Sequence, residues 1–143
     1  LDDWYILILL HYLDLADGTP LYHQAVHFGE LKDGLIRGSR FDKTVEREFA
    51  SFLSDKKDED IINLCKSLDG EIIKSKFDLS VVFYLFPNYP VTLNIWFADD
   101  EFGAVGNMLV DKSADNYLTI EDDVVAGEFM LRYIFERYNE LYM

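Results

Sequence analysis

After Gly70 the hydrophobic period of the chain changes, and that change constrains the fold more than any other feature. Before it, Phe41, Val45, Phe49, Phe52 and Leu53 recur at helical spacing, and Ile61, Ile62, Cys65 and Leu68 share one face of a second helix starting near Asp58. After it, Phe77 to Phe86 is rich in β-branched and aromatic residues. Pro87-Asn88-Tyr89-Pro90 reads as a turn, and Val91, Leu93, Ile95 and Phe97 alternate with Thr92, Asn94 and Trp96. Asp99-Asp100-Glu101 marks another turn before a third strand at about 104–110. Helical spacing returns beyond Thr119, an N-cap followed by Glu121, Asp122 and Asp123. There Val124, Leu131, Ile134, Phe135, Tyr138 and Tyr142 form a stripe. The reading is one α+β domain over residues 1–143. It has N-terminal helices, an antiparallel meander of three strands (four if 71–74 pairs at an edge) and a long C-terminal helix packed on the sheet.

The N-terminal apolar run 4–13 is half the length of a membrane span, and no basic residue precedes it as in a signal peptide. Asp2 and Asp3 suit the start of a helix, and Gly18 with Pro20 supplies a stop, so a buried core helix is expected over about 3–16. The chain opens on Leu rather than Met, which leads us to expect a segment upstream. Residues 18–40 are rich in glycine and turns, with one short helix near 28–31. Ser39-x-x-Asp42 resembles a capping box, and Asp69-Gly70 a left-handed helix end.

Charge excludes several functions. Thirteen Lys+Arg stand against 27 Asp+Glu, a net charge of −14, which argues against nucleic-acid binding and against docking on anionic lipid. The asymmetry is marked: residues 77–143 hold 12 acids and 3 bases, a net of −9. One cysteine, Cys65, permits no internal disulfide, multi-cysteine zinc site or iron–sulfur cluster within the chain, and its place on an apolar stripe suits an inert buried thiol. No nucleophile elbow, phosphate loop or dinucleotide fingerprint is present.

Two patterns remain that could carry chemistry. His23 and His27, four apart, could share a face and chelate a metal, with His11 or Glu30 as a third ligand; scattered polar histidines are the ordinary alternative. The sharper pattern runs from Asp111 to Asp122. Against a twelve-residue calcium loop it places Asp111, Ser113 and Asp115 at positions one, three and five. Tyr117 and Thr119 supply oxygens at seven and nine, and Asp122 stands at twelve. Asn116 replaces the usual glycine, Asp122 is shorter than the usual Glu, and a strand rather than a helix precedes the loop. The same residues also read as an ordinary loop and helix start. Trp96, with Phe83, Tyr84, Phe86 and Tyr89, could line a pocket, although core packing accounts for such aromatics equally well. Tyr84, Phe86, Thr92, Asn94 and Trp96 are expected to include a sheet face the helices leave uncovered.

Several stretches together resemble a known family. They are Leu10-His11-Tyr12-Leu13, Ala16-Asp17-Gly18-Thr19-Pro20-Leu21, Phe28-Gly29-Glu30-Leu31 with Gly34, Phe41, and Asp111-x-Ser113-Ala114-x-x-Tyr117-Leu118-x-x-Glu121-Asp122. The chain is similar over nearly its whole length to the prokaryotic family catalogued as domain of unknown function 3786. The resemblance implies an anaerobic setting. It also implies a tie to iron–sulfur or corrinoid proteins of one-carbon metabolism, since some members carry a cysteine-rich iron–sulfur domain. Within that pattern Asp111, Tyr117, Glu121 and Asp122 fit better than Asp115. This favours a structural tie or a pocket edge over a full cation cage.

Three readings follow. The leading one is a non-catalytic, cytoplasmic accessory or binding module whose acidic half meets a partner or a small cationic ligand, with an iron–sulfur or corrinoid protein as the partner. The second is a calcium- or other metal-binding protein using Asp111, Ser113, Asp115 and Asp122. The third is an enzyme with His11, Glu30, Tyr117 and Glu121 converging on one pocket.

Overall fold

A computed structural model describes residues 3–143; Asp2, expected beside Asp3 at the first helix start, lies outside the described residues. Helix α1 spans Asp3–Leu15, α2 Arg37–Leu53, α3 Asp58–Ser67 and α4 Ile120–Tyr142. The strands are β1 Ala25–Val26, β2 Glu71–Ile73, β3 Leu79–Phe86, β4 Tyr89–Trp96 and β5 Val105–Asp111. They form one antiparallel sheet in the order β1-β5-β4-β3-β2. The fold is α+β as expected, and the meander β3–β4–β5 sits at its centre. The sheet has five strands because β1, only two residues long and lacking any period, pairs with the end of β5 through Ala25↔Asp111 and Val26↔Val110.

Alternation along the central strands decides which face is core. Val81, Phe83, Val91, Leu93, Ile95, Met108 and Val110 are buried on the face that α2 and α4 cover. Gly106 lets β5 approach α2: a Cβ there would stand 2.8 Å from Cβ of Phe49. The opposite face carries Val82, Tyr84, Thr92, Trp96 and Leu109, all exposed or half-buried. Across it runs a hydrogen-bonded polar row, with Ser80 Oγ donating to Asn94 Oδ1 at 2.6 Å and Asn94 Nδ2 to Asn107 Oδ1 at 3.1 Å. Phe86 was expected to share the Tyr84 face, but the register shifts between Tyr84 and Phe86, and the extra residue Leu85 turns Phe86 into the core.

Three local expectations are corrected. Helix α1 is not a buried core helix. It buries Ile8 and Tyr12 but leaves Leu10 at 56% and Leu13 at 64% exposure, because a helix that is apolar all round packs only the face that meets a neighbour, here α4. The Ser39–Asp42 capping box does not form, since α2 begins two residues before Ser39; the Asp42 carboxylate instead accepts from the main-chain N–H groups of Phe28 (3.0 Å) and Gly29 (2.9 Å). At the end of α3 it is Asp69, at φ +58°, that takes the left-handed conformation. Gly70 serves close packing, since a Cβ there would lie 2.3 Å from Val81 Cγ1.

Candidate functional site

The stretch from Asp111 to Asp123 joins the end of β5 to the first turn of α4, passing through a tight 3-10 turn at Lys112–Asn116. Asp111 closes β5 with its carboxylate turned toward the segment that precedes β1. It accepts main-chain N–H bonds from Tyr22 (2.9 Å), Gln24 (2.9 Å) and Ser113 (3.1 Å), and a hydroxyl bond from Ser113. Burial pulls its carboxyl upward, but these donors outweigh that and hold it below its ordinary value. Asp115 accepts with both oxygens from the Lys32 N–H, at 3.1 and 3.2 Å. Tyr117 is buried, donates its hydroxyl to the Thr19 carbonyl and lies against the ring of Tyr12, which in turn stacks on Phe86. Thr119 caps α4 by accepting from the Asp122 N–H at 3.4 Å. Asp122 pairs with His11 Nδ1 at 2.8 Å and so pins α1 to the start of α4.

This geometry gives the carboxylates of the calcium reading separate protein partners. Spacing along the chain suits a cation loop, but the strand end and 3-10 turn send Asp111, Asp115 and Asp122 toward three separate sets of donors. Among the described residues no group of three or more His, Cys, Asp or Glu side chains is placed to hold a metal ion, the histidine pair His23 and His27 included.

The four groups of the enzyme reading are likewise each engaged. His11 meets Asp122, Tyr117 meets Thr19, Glu30 accepts from the His27 N–H at 3.3 Å, and Glu121 faces Arg37 at 3.3 Å on the surface. These four side chains thus have four different partners. Trp96 lies far along β4 on the outer face, 40% exposed and against the ring of Phe77. Burial pushes the Cys65 thiol up to about 12, consistent with an inert core residue.

Two groups escaped the sequence reading. Asp42 gave no signal beyond its misread place in a capping box. Asp123 looked like one more first-turn carboxylate, yet it is fully buried, accepts from the Tyr89 hydroxyl and has one oxygen without a protein hydrogen-bond partner. Its position could have been read: it precedes the buried Gly127 by four and Met130 by seven, on the inward stripe of α4. Burial raises its carboxyl well above the usual range; the Tyr89 hydroxyl opposes this, and the charges of Asp115 and Asp122 add to it.

Two open spaces lie near the elements described above. A polar cleft of about 300 Å3 lies between Asp17, Lys32, Asp33, Asp115 and Thr119. A larger apolar groove of about 860 Å3 runs between α4 and the outer edge of β3, lined by Tyr5, Phe83, Tyr84, Leu85, Phe129 and Tyr133. Its volume falls in the usual range for ligand sites.

No curated protein and no solved structure matches this chain. The family described as Domain of unknown function (DUF3786) matches residues 2–133, and the chain belongs to that family.

Proposed function

We propose that this chain is a non-catalytic accessory or binding module. The observation that carries the reading is how the candidate polar groups are used. Asp111 is saturated by four hydrogen bonds, and His11, Glu30, Asp115, Tyr117 and Glu121 are each engaged elsewhere. Their role is to hold the loop, α1 and the turn region together, while the groove beside β3 is lined mainly by apolar and aromatic side chains. The chain's charge of −14 suits a partner with basic character. An iron–sulfur or corrinoid protein of one-carbon metabolism, met in the cytoplasm, is the partner that the family resemblance favours. No helix among the described residues is long and apolar enough to cross a membrane.

Co-purification from the native organism at low and at high salt tests this. We expect a defined partner at low salt whose recovery falls as salt rises. Recovery of the chain alone under both conditions would contradict the reading.

A further inference from the structure

Strands cover both edges of the sheet only in part: β1 pairs with Val110 and Asp111 alone, on a strand that α2 packs against, and the other edge is left partly open as well. β3 is eight residues long, but β2 pairs only with Ser80, Val81 and Val82. Beyond Val82 no strand lies on that side of β3 among the described residues, because the chain turns away at Asp69 into α3. β4 continues on the other side as far as Phe86. In an antiparallel sheet alternate residues direct their main-chain groups to opposite sides, so part of the 83–86 backbone points outward without a strand to receive it. The apolar groove lies along this edge.

We propose that the groove receives an extended, apolar peptide segment flanked by Lys or Arg, belonging to a partner protein, which adds as a short strand beside Phe83–Phe86. This inference rests on the binding-module reading and names its site. Three observations select that occupant. The open edge selects an extended backbone, since its N–H and C=O groups are matched only by another strand. The lining selects apolar side chains: Phe83 and Met130 are buried beneath it, and Tyr84, Leu85, Phe129 and Tyr133 form its walls. Charge selects basic flanks. Asp69 and Glu136 stand at the groove, the Arg132 guanidinium lies over the Phe129 ring at 4.9 Å, and the whole chain is at −14.

Edge strands are ordinarily guarded by lysine, proline or a bulge. Here Phe83, Tyr84, Leu85 and Phe86 include no charge and no proline, and the one guard is the shift at Leu85. That shift limits the added strand to the few residues before the hairpin. The same net charge opposes edge-to-edge pairing with a second copy of the chain.

The test is a selection of random decapeptides displayed on phage against the immobilised full chain, with binding of the selected peptides then measured by fluorescence anisotropy. Enriched peptides are expected to alternate apolar residues at every second position between Lys or Arg ends. N-methylation of alternate amides on one edge of such a peptide is expected to weaken binding by about tenfold or more while leaving every side chain in place. Tyr133→Glu and Tyr84→Glu, both at exposed positions, should weaken it by about as much with unchanged circular dichroism. The proposal is overturned by the absence of enrichment, by enriched peptides with helical spacing, or by indifference to N-methylation. Sedimentation showing a dimer that Tyr133→Glu dissolves would overturn it as well. If co-purification of a native partner survives Tyr133→Glu and no peptide is selected, strand addition fails and the module reading stands; if no partner is found either, both fail.

Discussion

The two edges of the sheet are finished in opposite ways. At the β1 edge, the strand pairs only with Val110 and Asp111, and Asp111 extends the tie past the strand end: its carboxylate takes the N–H groups of Tyr22 and Gln24, and the Lys112 N–H reaches the Gln24 carbonyl at 2.9 Å. A charged side chain there ties the end of β5 to the segment before β1, and α2 packs against the strand itself. At the β2 edge, three residues of strand cover less than half of β3, and an apolar groove replaces the rest. Asp111 therefore fastens the end of the first edge, and aromatic residues line the groove at the second. In this chain conspicuous polar chemistry marks a closed region and plain apolar residues mark the available one.

Breaking the closed edge should have the largest effect. Asp111→Ala leaves three main-chain donors and a buried hydroxyl without their acceptor, and a loss of about 3 kcal/mol is expected in urea unfolding. A loss below about 0.5 kcal/mol, the level of an ordinary surface change, would mean that the carboxylate does not hold the edge.

The second test contrasts Asp111 with Asp123. The Asp111 carboxyl is depressed in the folded state, so its contribution is present above its unfolded value and fades as pH falls through the folded one. Asp123 is raised, so the fold binds its proton more tightly than the unfolded chain does, and stability declines as pH climbs above about 4 toward the folded value. Asp123→Asn keeps an acceptor for Tyr89 and removes that decline. Its melting temperature should rise relative to the parent as pH climbs above about 4, the gap widening toward the folded value. A gap that stays constant or narrows would show that Asp123 is ionised in the fold.

Two smaller effects sharpen the same contrast. If the Asp111–Asp122 loop is a tie, calcium at about 1 mM should leave the melting temperature unchanged; a rise of several degrees would mean that a cation binds the folded chain. Arg37 meets Glu121 and Glu128 at the surface, at 3.3 and 3.8 Å, and Arg37→Ala should change stability by no more than about 0.5 kcal/mol. A larger loss would mean that this exposed pair takes part in fixing the start of α4.

Much of the fold was legible because its elements are long and periodic. The alternation of Val91, Leu93 and Ile95 and the stripe Val124, Leu131 and Ile134 each point to one element type and one buried face. β1 was not legible, since two residues carry no period and their pairing depends on where Asp111 arrives. The site was harder for the same reason. Spacing placed Asp111, Asp115 and Asp122 at ligand positions, but spacing does not say which way a carboxylate turns once a 3-10 turn offers it main-chain donors. Asp42 shows the same ambiguity: a short acid near a helix start fits a cap, yet here it holds a neighbouring turn. The β3 groove depended on β2 starting only at Glu71, opposite Val82, a boundary set by Asp69 and Gly70 rather than by hydrophobic pattern.

Amide hydrogen exchange, followed residue by residue on the full chain, tests the contrast between the edges most directly. The Tyr22 and Gln24 amides, held by Asp111, should exchange only with the large-scale openings that expose the core, and outward-facing amides within Phe83–Phe86 should exchange through local fluctuations, far faster than those of Tyr22 and Gln24. Equal protection at the two edges, or faster exchange at Tyr22 and Gln24 than at Phe83–Phe86, would contradict the account.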